Sequence, residues 1–144
     1  IIILSDRRDH CIKMNQECLD NDISSGLYLG GMKESELKES SEKQVIFATF
    51  CLAAEGLDIP KLDTCILATP KSDVVQACGR IMRETKGKVN SPLIIDINDI
   101  WGVFIAQSKK RLAWYKQSGF NGVTSTKKVK KETKPLGYAA FIDD

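Results

Sequence analysis

The residues best suited to chemistry stand in the stretch QACGRIMRE, residues 76–84. Arg80 and Arg83 are three positions apart, so on a helix they share a face. Two guanidinium groups side by side repel unless opposite charge answers them. One reading is a surface helix whose arginines pair with Glu84 or Asp73. The other is an anion site. Arginine is always charged, and its planar fork matches phosphate oxygens. Phosphoryl transfer builds charge on the oxygens of the moving group, and arginine neutralises it there. Gly79 clears room beside Arg80, and Gln76 falls on the same face one turn earlier.

A second stretch is ATFCLAAEGLDIP, residues 48–60, read as a strand end running into a loop. The Thr49 hydroxyl and the backbone N–H groups freed at a strand end can grip phosphate. Gly56 lets backbone approach a ligand closely, and Asp58 can accept hydrogen bonds from a sugar hydroxyl. A plain Gly–x–Asp turn is the alternative. No GxxxxGK[ST] phosphate loop is present; the one Gly–Lys pair, Gly87–Lys88, runs into Val89. No acidic DExx segment follows a strand either. The chain therefore offers arginines for a γ-phosphate but nothing to hold a β-phosphate or Mg²⁺.

The elements that position these residues follow from the apolar pattern. IIILS (1–5), LYLGG (27–31), VIFAT (45–49), TCILAT (64–69) and PLIIDI (92–97) read as strands. Residues 7–20, 33–41, 72–84 and 101–119 read as helices. The strand runs are continuously apolar rather than alternating, which implies a mostly parallel sheet covered by helices on both faces. Asp6 is expected to cap the first helix, and Ser72 with Asp73 the helix that carries Arg80. Ligands of an open parallel sheet bind beyond the carboxyl ends of its strands. Ser5 and Asp6, Gly30 and Gly31, Thr49, and Thr69 with Pro70 all fall there. Trp101, Phe104, Trp114 and Tyr115 have the helical spacing of a core-facing stripe, with a base-stacking surface as the alternative.

The 144 residues suffice for one domain with a real core. Apolar residues at 42% and charged residues at 28% are ordinary for a soluble globular protein. The formal net charge of +2 rules out a polycation, but KKVKKETK (127–134) concentrates five lysines. We expect one domain over 1–122 and a lysine-rich linker or arm with a more apolar end over 123–144. No apolar run reaches the length of a membrane span, and no signal-peptide pattern is present. Five cysteines without CxxC spacing read as reduced thiols. The single histidine, His10, has no evident partner in the sequence, so neither a metal site nor a Cys–His nucleophile is expected. The chain starts at Ile1 on a core-like run, so we expect a piece of a longer protein.

The order IIILSDRRDH, YLGGMKESE, ATFCLAAEGLDIPKLDTCILATP and QACGRIMRE resembles the second RecA-like domain of a superfamily 2 helicase, in its motifs IV, IVa, V and VI. The similarity covers residues 1 to 97. It implies a RecA-like three-layer α/β sandwich and accounts for the missing phosphate loop and DExx box, which belong to that family's first domain. Gln76 stands where DEAD-box RNA helicases usually carry histidine. Ile81 and Met82 stand where the DEAH type usually has a glycine between its arginines. QxxGRxxR with EGLDIPxLDT is more similar to XPB-like duplex-DNA translocases. SKKRLAWYKQSGF (108–120) resembles the domain end of phage and large-DNA-virus members, including transcript-release helicases.

The resemblance implies specific roles. Arg80 and Arg83 would be arginine fingers, with Gln76 positioning the γ-phosphate or its water. Gly56, Asp58 and Gly79 would line the ATP side of the cleft, and Thr49, Ser5, Arg7, Gly30 and Gly31 would hold a DNA or RNA backbone. Motif IV departs from the family's pattern in Asp6–Arg7–Arg8, which leaves open which arginine meets phosphate. ATP with Mg²⁺ is the implied substrate, held mainly by an N-terminal RecA-like domain. That domain and nucleic acid are the implied partners, and a membrane is not. The implied location is intracellular: the cytoplasm at a site of viral replication, or the nucleus. This piece alone is expected to be inactive. An RNA helicase or remodeller of the same superfamily, a RecA-like binding module without catalysis, and a flavodoxin-like nucleotide domain are the alternatives. The last lacks a phosphate-cradling glycine loop after the first strand.

Overall fold

The computed structural model of the protein describes residues 1–81, 91–99 and 101–120. Strands β1 (Ile2–Ser5), β2 (Ser25–Tyr28), β3 (Val45–Thr49), β4 (Thr64–Leu67) and β5 (Leu93–Asp96) alternate with helices. The helices are α1 (Arg8–Asp20), α2 (Glu34–Ser41), α3 (Phe50–Glu55), α4 (Val75–Ile81) and α5 (Gly102–Gln117). The sheet order is β2-β3-β1-β4-β5, and every pairing is parallel. Parallel neighbours need a crossover, and the intervening helices supply it. The expected α/β architecture with a parallel sheet is therefore the observed one.

Successive strand residues point to opposite faces, which builds two cores. On one face Ile2, Leu4, Ile46, Ala48, Cys65 and Leu67 pack with Phe50 and Ala53 of α3, Ala77 and Cys78 of α4, and Trp114 and Tyr115 of α5. On the other face Val45 and Phe47 pack with Cys11, Met14 and Cys18 of α1 and with Leu29 and Met32. Among the described residues, cover on both faces holds for the central strands but stops at the β5 edge. There Leu93, Ile95 and Ile97 are exposed on one face, while Ile94 packs inward on the other.

Three expectations change. Phe50–Glu55 was expected as loop and is a helix, too short for a period to announce it. The second strand sits at Ser25–Tyr28, ahead of the expected start, and Gly30–Gly31 form the turn beyond it. Arg7, not Asp6, is the N-cap of α1, and no side-chain bond closes that cap. The expected cap of α4 does form in part: the Val75 amide donates to Asp73 Oδ1 at 3.2 Å. Residues 123–144 and Arg83 lie outside the described residues.

Candidate nucleotide and nucleic-acid site

The strand order reverses around β1, which pairs with β3 on one side and β4 on the other. The crevice of a parallel α/β sheet opens at the carboxyl ends of strands at such a reversal. In this protein that places Ser5, Thr49 and Thr69 at one mouth, with Ser5 and Thr49 in register.

At the β1 end, the Ser5 hydroxyl is fully buried (0% exposed) and lies 3.0 Å from His10 Nδ1. The same oxygen accepts the Arg7 amide at 3.2 Å. The buried hydroxyl orders the turn into α1. His10 therefore has a partner that the sequence did not reveal. The Arg7 guanidinium is exposed and bonds Asp9 at 2.7 Å. That hydrogen bond holds the Asp9 carboxyl below its ordinary pKa. Arg8 donates to the Gly30 carbonyl at 2.6 Å, tying α1 to the turn after β2. In that turn Gly31 has φ +82°, the left-handed region that favours glycine. Thr49, half-buried, leads into α3 with its side chain free of a capping bond.

At the β4 end, Thr69 Oγ1 accepts the Asp6 amide at 2.8 Å. Lys71 Nζ lies 2.7 Å from Asp6 Oδ1 and 5.8 Å from the centre of the Phe50 ring. Its carbonyl accepts from Arg111 Nη1 at 2.6 Å. Arg111 is 2% exposed and forms a forked pair with Asp96 at 2.8 and 2.9 Å. Arg111 also donates to Asn98 Oδ1 at 2.7 Å, and the Tyr115 hydroxyl donates to Asp96 at 2.9 Å. Burial and the neighbouring Asp96 carboxylate push the Tyr115 phenol far above its ordinary pKa, so it remains a donor.

Sequence reasoning missed this polar cluster. Arg111 stands in SKKRLAW, where nothing distinguishes it from its lysine neighbours. The one signal was Asp96, a carboxylate at the end of an apolar strand, which demands a partner. The aromatic stripe divides: Trp114 and Tyr115 pack inward and meet Phe120 at 6.0 and 5.8 Å, whereas Trp101 is 60% exposed and Phe104 is also exposed.

The second half of the site runs between α3 and α4. Arg80 is half-buried and donates to three carbonyls at the end of α3: Ala54 at 2.9 Å, Glu55 at 3.1 Å and Leu57 at 3.2 Å. Those carbonyls are the electronegative end of the helix, where a cation is favoured. Among the described residues, these bonds go to carbonyls and not to the carboxylates of Asp73 or Glu55. They do not exhaust the guanidinium's donors. Arg80, Gln76, Gly79, Ala54 and Val75 line an open groove of about 380 Å³. Among the described residues, nothing beyond its own helix lies within 4 Å of where a Cβ on Gly79 would sit. Gly56 caps α3 with φ −128°, which does not require glycine, and its carbonyl accepts the Tyr28 hydroxyl at 3.4 Å. Asp58 is exposed just beyond. Gln76, Gly79 and Arg80 are thus brought together on one face; Thr49, Gly30 and Gly31 lie at the strand-end mouth.

The described residues hold no cluster of three potential metal ligands. No described helix is long and apolar enough to cross a membrane. The described cysteines are free thiols; Cys51 is exposed and Cys11, Cys65 and Cys78 are buried.

No family model matches the chain. The chain is 40% identical over 126 residues to a mimivirus protein (Acanthamoeba polyphaga mimivirus) named "Putative ATP-dependent RNA helicase". That match covers 84% of this chain and 24% of the relative. It is 33% identical over 95 residues to "Putative helicase 22" of a Sulfolobus islandicus filamentous virus, covering 64% of this chain and 16% of that protein. The chain therefore spans about a quarter or less of the length of these curated relatives.

Among solved structures, the C-terminal domain of the DEAD-box protein Dbp5 superposes with a TM-score of 0.63 at 16% identity, over 85% of this chain and 72% of that one. The C-terminal part of the Fun30 ATPase domain gives 0.63 at 10% identity, over 76% of this chain and 38% of that one. The Pyrococcus furiosus Hef helicase domain gives 0.53 at 24% identity, over 75% and 23%. The fold is that of the RecA-like C-terminal domain of helicases. In sequence the chain is similar to a part of each of two viral proteins named as helicases.

Proposed function

We propose that this chain is the C-terminal half of an ATP-dependent superfamily 2 nucleic-acid motor. It completes an ATP site formed with a preceding RecA-like domain and grips a nucleic-acid backbone at its strand ends. The observation that carries the reading is the groove where Arg80, Gln76 and Gly79 meet. There, among the described residues, a guanidinium sits with carbonyls as its partners, which orient it without supplying an opposite full charge. Arg80 and Arg83 act as arginine fingers, and Gln76 positions the γ-phosphate or the attacking water. Asp58 and Gly56 stand at the nucleotide side, and Thr49 with Gly30 and Gly31 at the nucleic-acid side. ATP arrives with Mg²⁺ bound mainly by the other domain; the metal supplies charge neutralisation of the phosphates. Closure of the two domains around ATP would change the grip on the strand.

Our first reading of the track is DNA, from the XPB-like pattern QxxGRxxR with EGLDIPxLDT. A second reading, RNA, is favoured by the name of the mimivirus relative. ATPase kinetics of the full-length protein decide between them. Duplex DNA, single-stranded DNA and RNA are each titrated, with Arg80→Ala as the inactive control. Stimulation by DNA alone supports the first reading, and stimulation by RNA alone supports the second. ATPase activity that persists in Arg80→Ala rejects the site.

A further inference from the structure

Lys71 is presented at the mouth in a way its sequence context, ATPKSD, did not reveal. Its backbone is fixed from below by a guanidinium that is itself nearly inaccessible. A buried ion pair such as Arg111–Asp96 is often no more stabilising than a well-packed apolar pair. What this one does is geometric: it pins the Lys71 carbonyl, and with it the loop that joins β4 to α4, against the end of β5. The ammonium above that pinned backbone is held only loosely. Its partner is Asp6, and both side chains are substantially exposed, at 37% and 54%. An exposed pair of this kind contributes roughly 0–1 kcal/mol, so it can be exchanged cheaply. Phe50, whose ring lies near Nζ, directly follows Thr49. The Asp6 amide is bonded to Thr69. Lys71 therefore stands over the carboxyl ends of β1, β3 and β4 at once.

We propose that Lys71 is a contact for a nucleic-acid phosphodiester, and that Asp6 is its counter-ion when no strand is bound. This rests on the nucleic-acid-motor reading. An arriving phosphate replaces the Asp6 carboxylate on the Lys71 ammonium. Asp6 then faces an anion of its own sign, so it opposes binding while Lys71 favours it. The two halves of one salt bridge must therefore act in opposite directions on affinity. A purely structural salt bridge has no such property, because loss of either partner breaks the same bond.

The test is fluorescence anisotropy with the full-length protein over a salt series, using single-stranded DNA, single-stranded RNA and duplex DNA of equal length. Lys71→Ala, Lys71→Arg and Asp6→Asn are compared with the parent, each beside a melting curve. Lys71→Ala is expected to weaken binding several-fold and to lower the slope of log K against log salt by one contact, about 0.9 on duplex and about 0.7 on single strands. Lys71→Arg is expected to keep the slope, and Asp6→Asn to tighten binding. The polynucleotide on which the slope changes identifies the source of the phosphate. If Lys71→Ala and Asp6→Asn shift affinity in the same direction, or neither shifts it while the parent binds, the inference is overturned and the motor reading stands. If the parent binds none of the three, both fall.

Discussion

Arg80 and Arg111 leave helices that cover the same face of the sheet, yet the protein treats them differently. Arg111 is almost fully buried, and its charge is answered by the Asp96 carboxylate in a two-bond fork, with Asn98 and the Lys71 carbonyl using further donors. Arg80 is half-buried at the edge of an open groove, and its bonds run to three carbonyls. Carbonyl dipoles orient a guanidinium without neutralising it. The Arg111 region is closed electrostatically and acts as a fastener. The Arg80 groove stays open, and the bonds that Arg80 makes among the described residues run to carbonyls. Burial of a charge costs free energy unless it is paired, which is why the buried Arg111 comes with a carboxylate.

The largest effect should come from the open region. In the full-length protein Arg80→Ala is expected to lower kcat by about 10³–10⁵, the usual worth of an arginine finger. Lysine should not restore it, because the forked geometry is lost. Steady-state ATPase kinetics beside a melting curve check this, and near-normal kcat would make Arg80 only a brace for α3. Arg83→Ala is expected to behave alike. Next comes the closed region. Asp96→Ala leaves Arg111 buried without its counter-charge and should cost about 3–5 kcal/mol of stability, read by urea unfolding. A double replacement, Asp96→Leu with Arg111→Met, should recover most of that loss. Equal destabilisation by single and double changes would show that the pair is more than a fastener.

Smaller effects sharpen the contrast. Gln76→Ala should reduce ATP turnover less than Arg80→Ala, because a positioning amide carries no charge to set against the phosphate. Thr49→Ala should leave ATP turnover without nucleic acid closer to normal and reduce the stimulation that nucleic acid produces. The smallest change is expected at Gly31, where φ is +82°. Alanine there should cost about 1–2 kcal/mol through left-handed strain alone, since open space surrounds the position. A shift in the urea midpoint measures it, and an unchanged midpoint would mean that the turn relaxes.

Much of this site was legible before any coordinates. Helical spacing alone placed Gln76 and Arg80 on one face, with Arg83 outside the described residues, because the positions of a helix are set by local geometry. The apolar runs marked all five strands, and VIFAT was bounded correctly, since a strand buried on both faces leaves no polar alternation. Asp73 was recognised as a cap because capping too is local. The order β2-β3-β1-β4-β5, by contrast, depends on which runs pair across the chain, and no window of sequence contains that. The burial of Ser5, its pairing with His10 and the exposure of Trp101 follow from what lies opposite each residue. Most of all, Asp96 and Arg111 are fifteen residues apart and meet only because β5 and α5 pack together. Periodicity and charge type therefore determined the elements and the face that carries Arg80. Tertiary packing alone decided which arginine was sealed inside and which was left half-buried at a groove, because desolvation of a charge depends on everything that surrounds it.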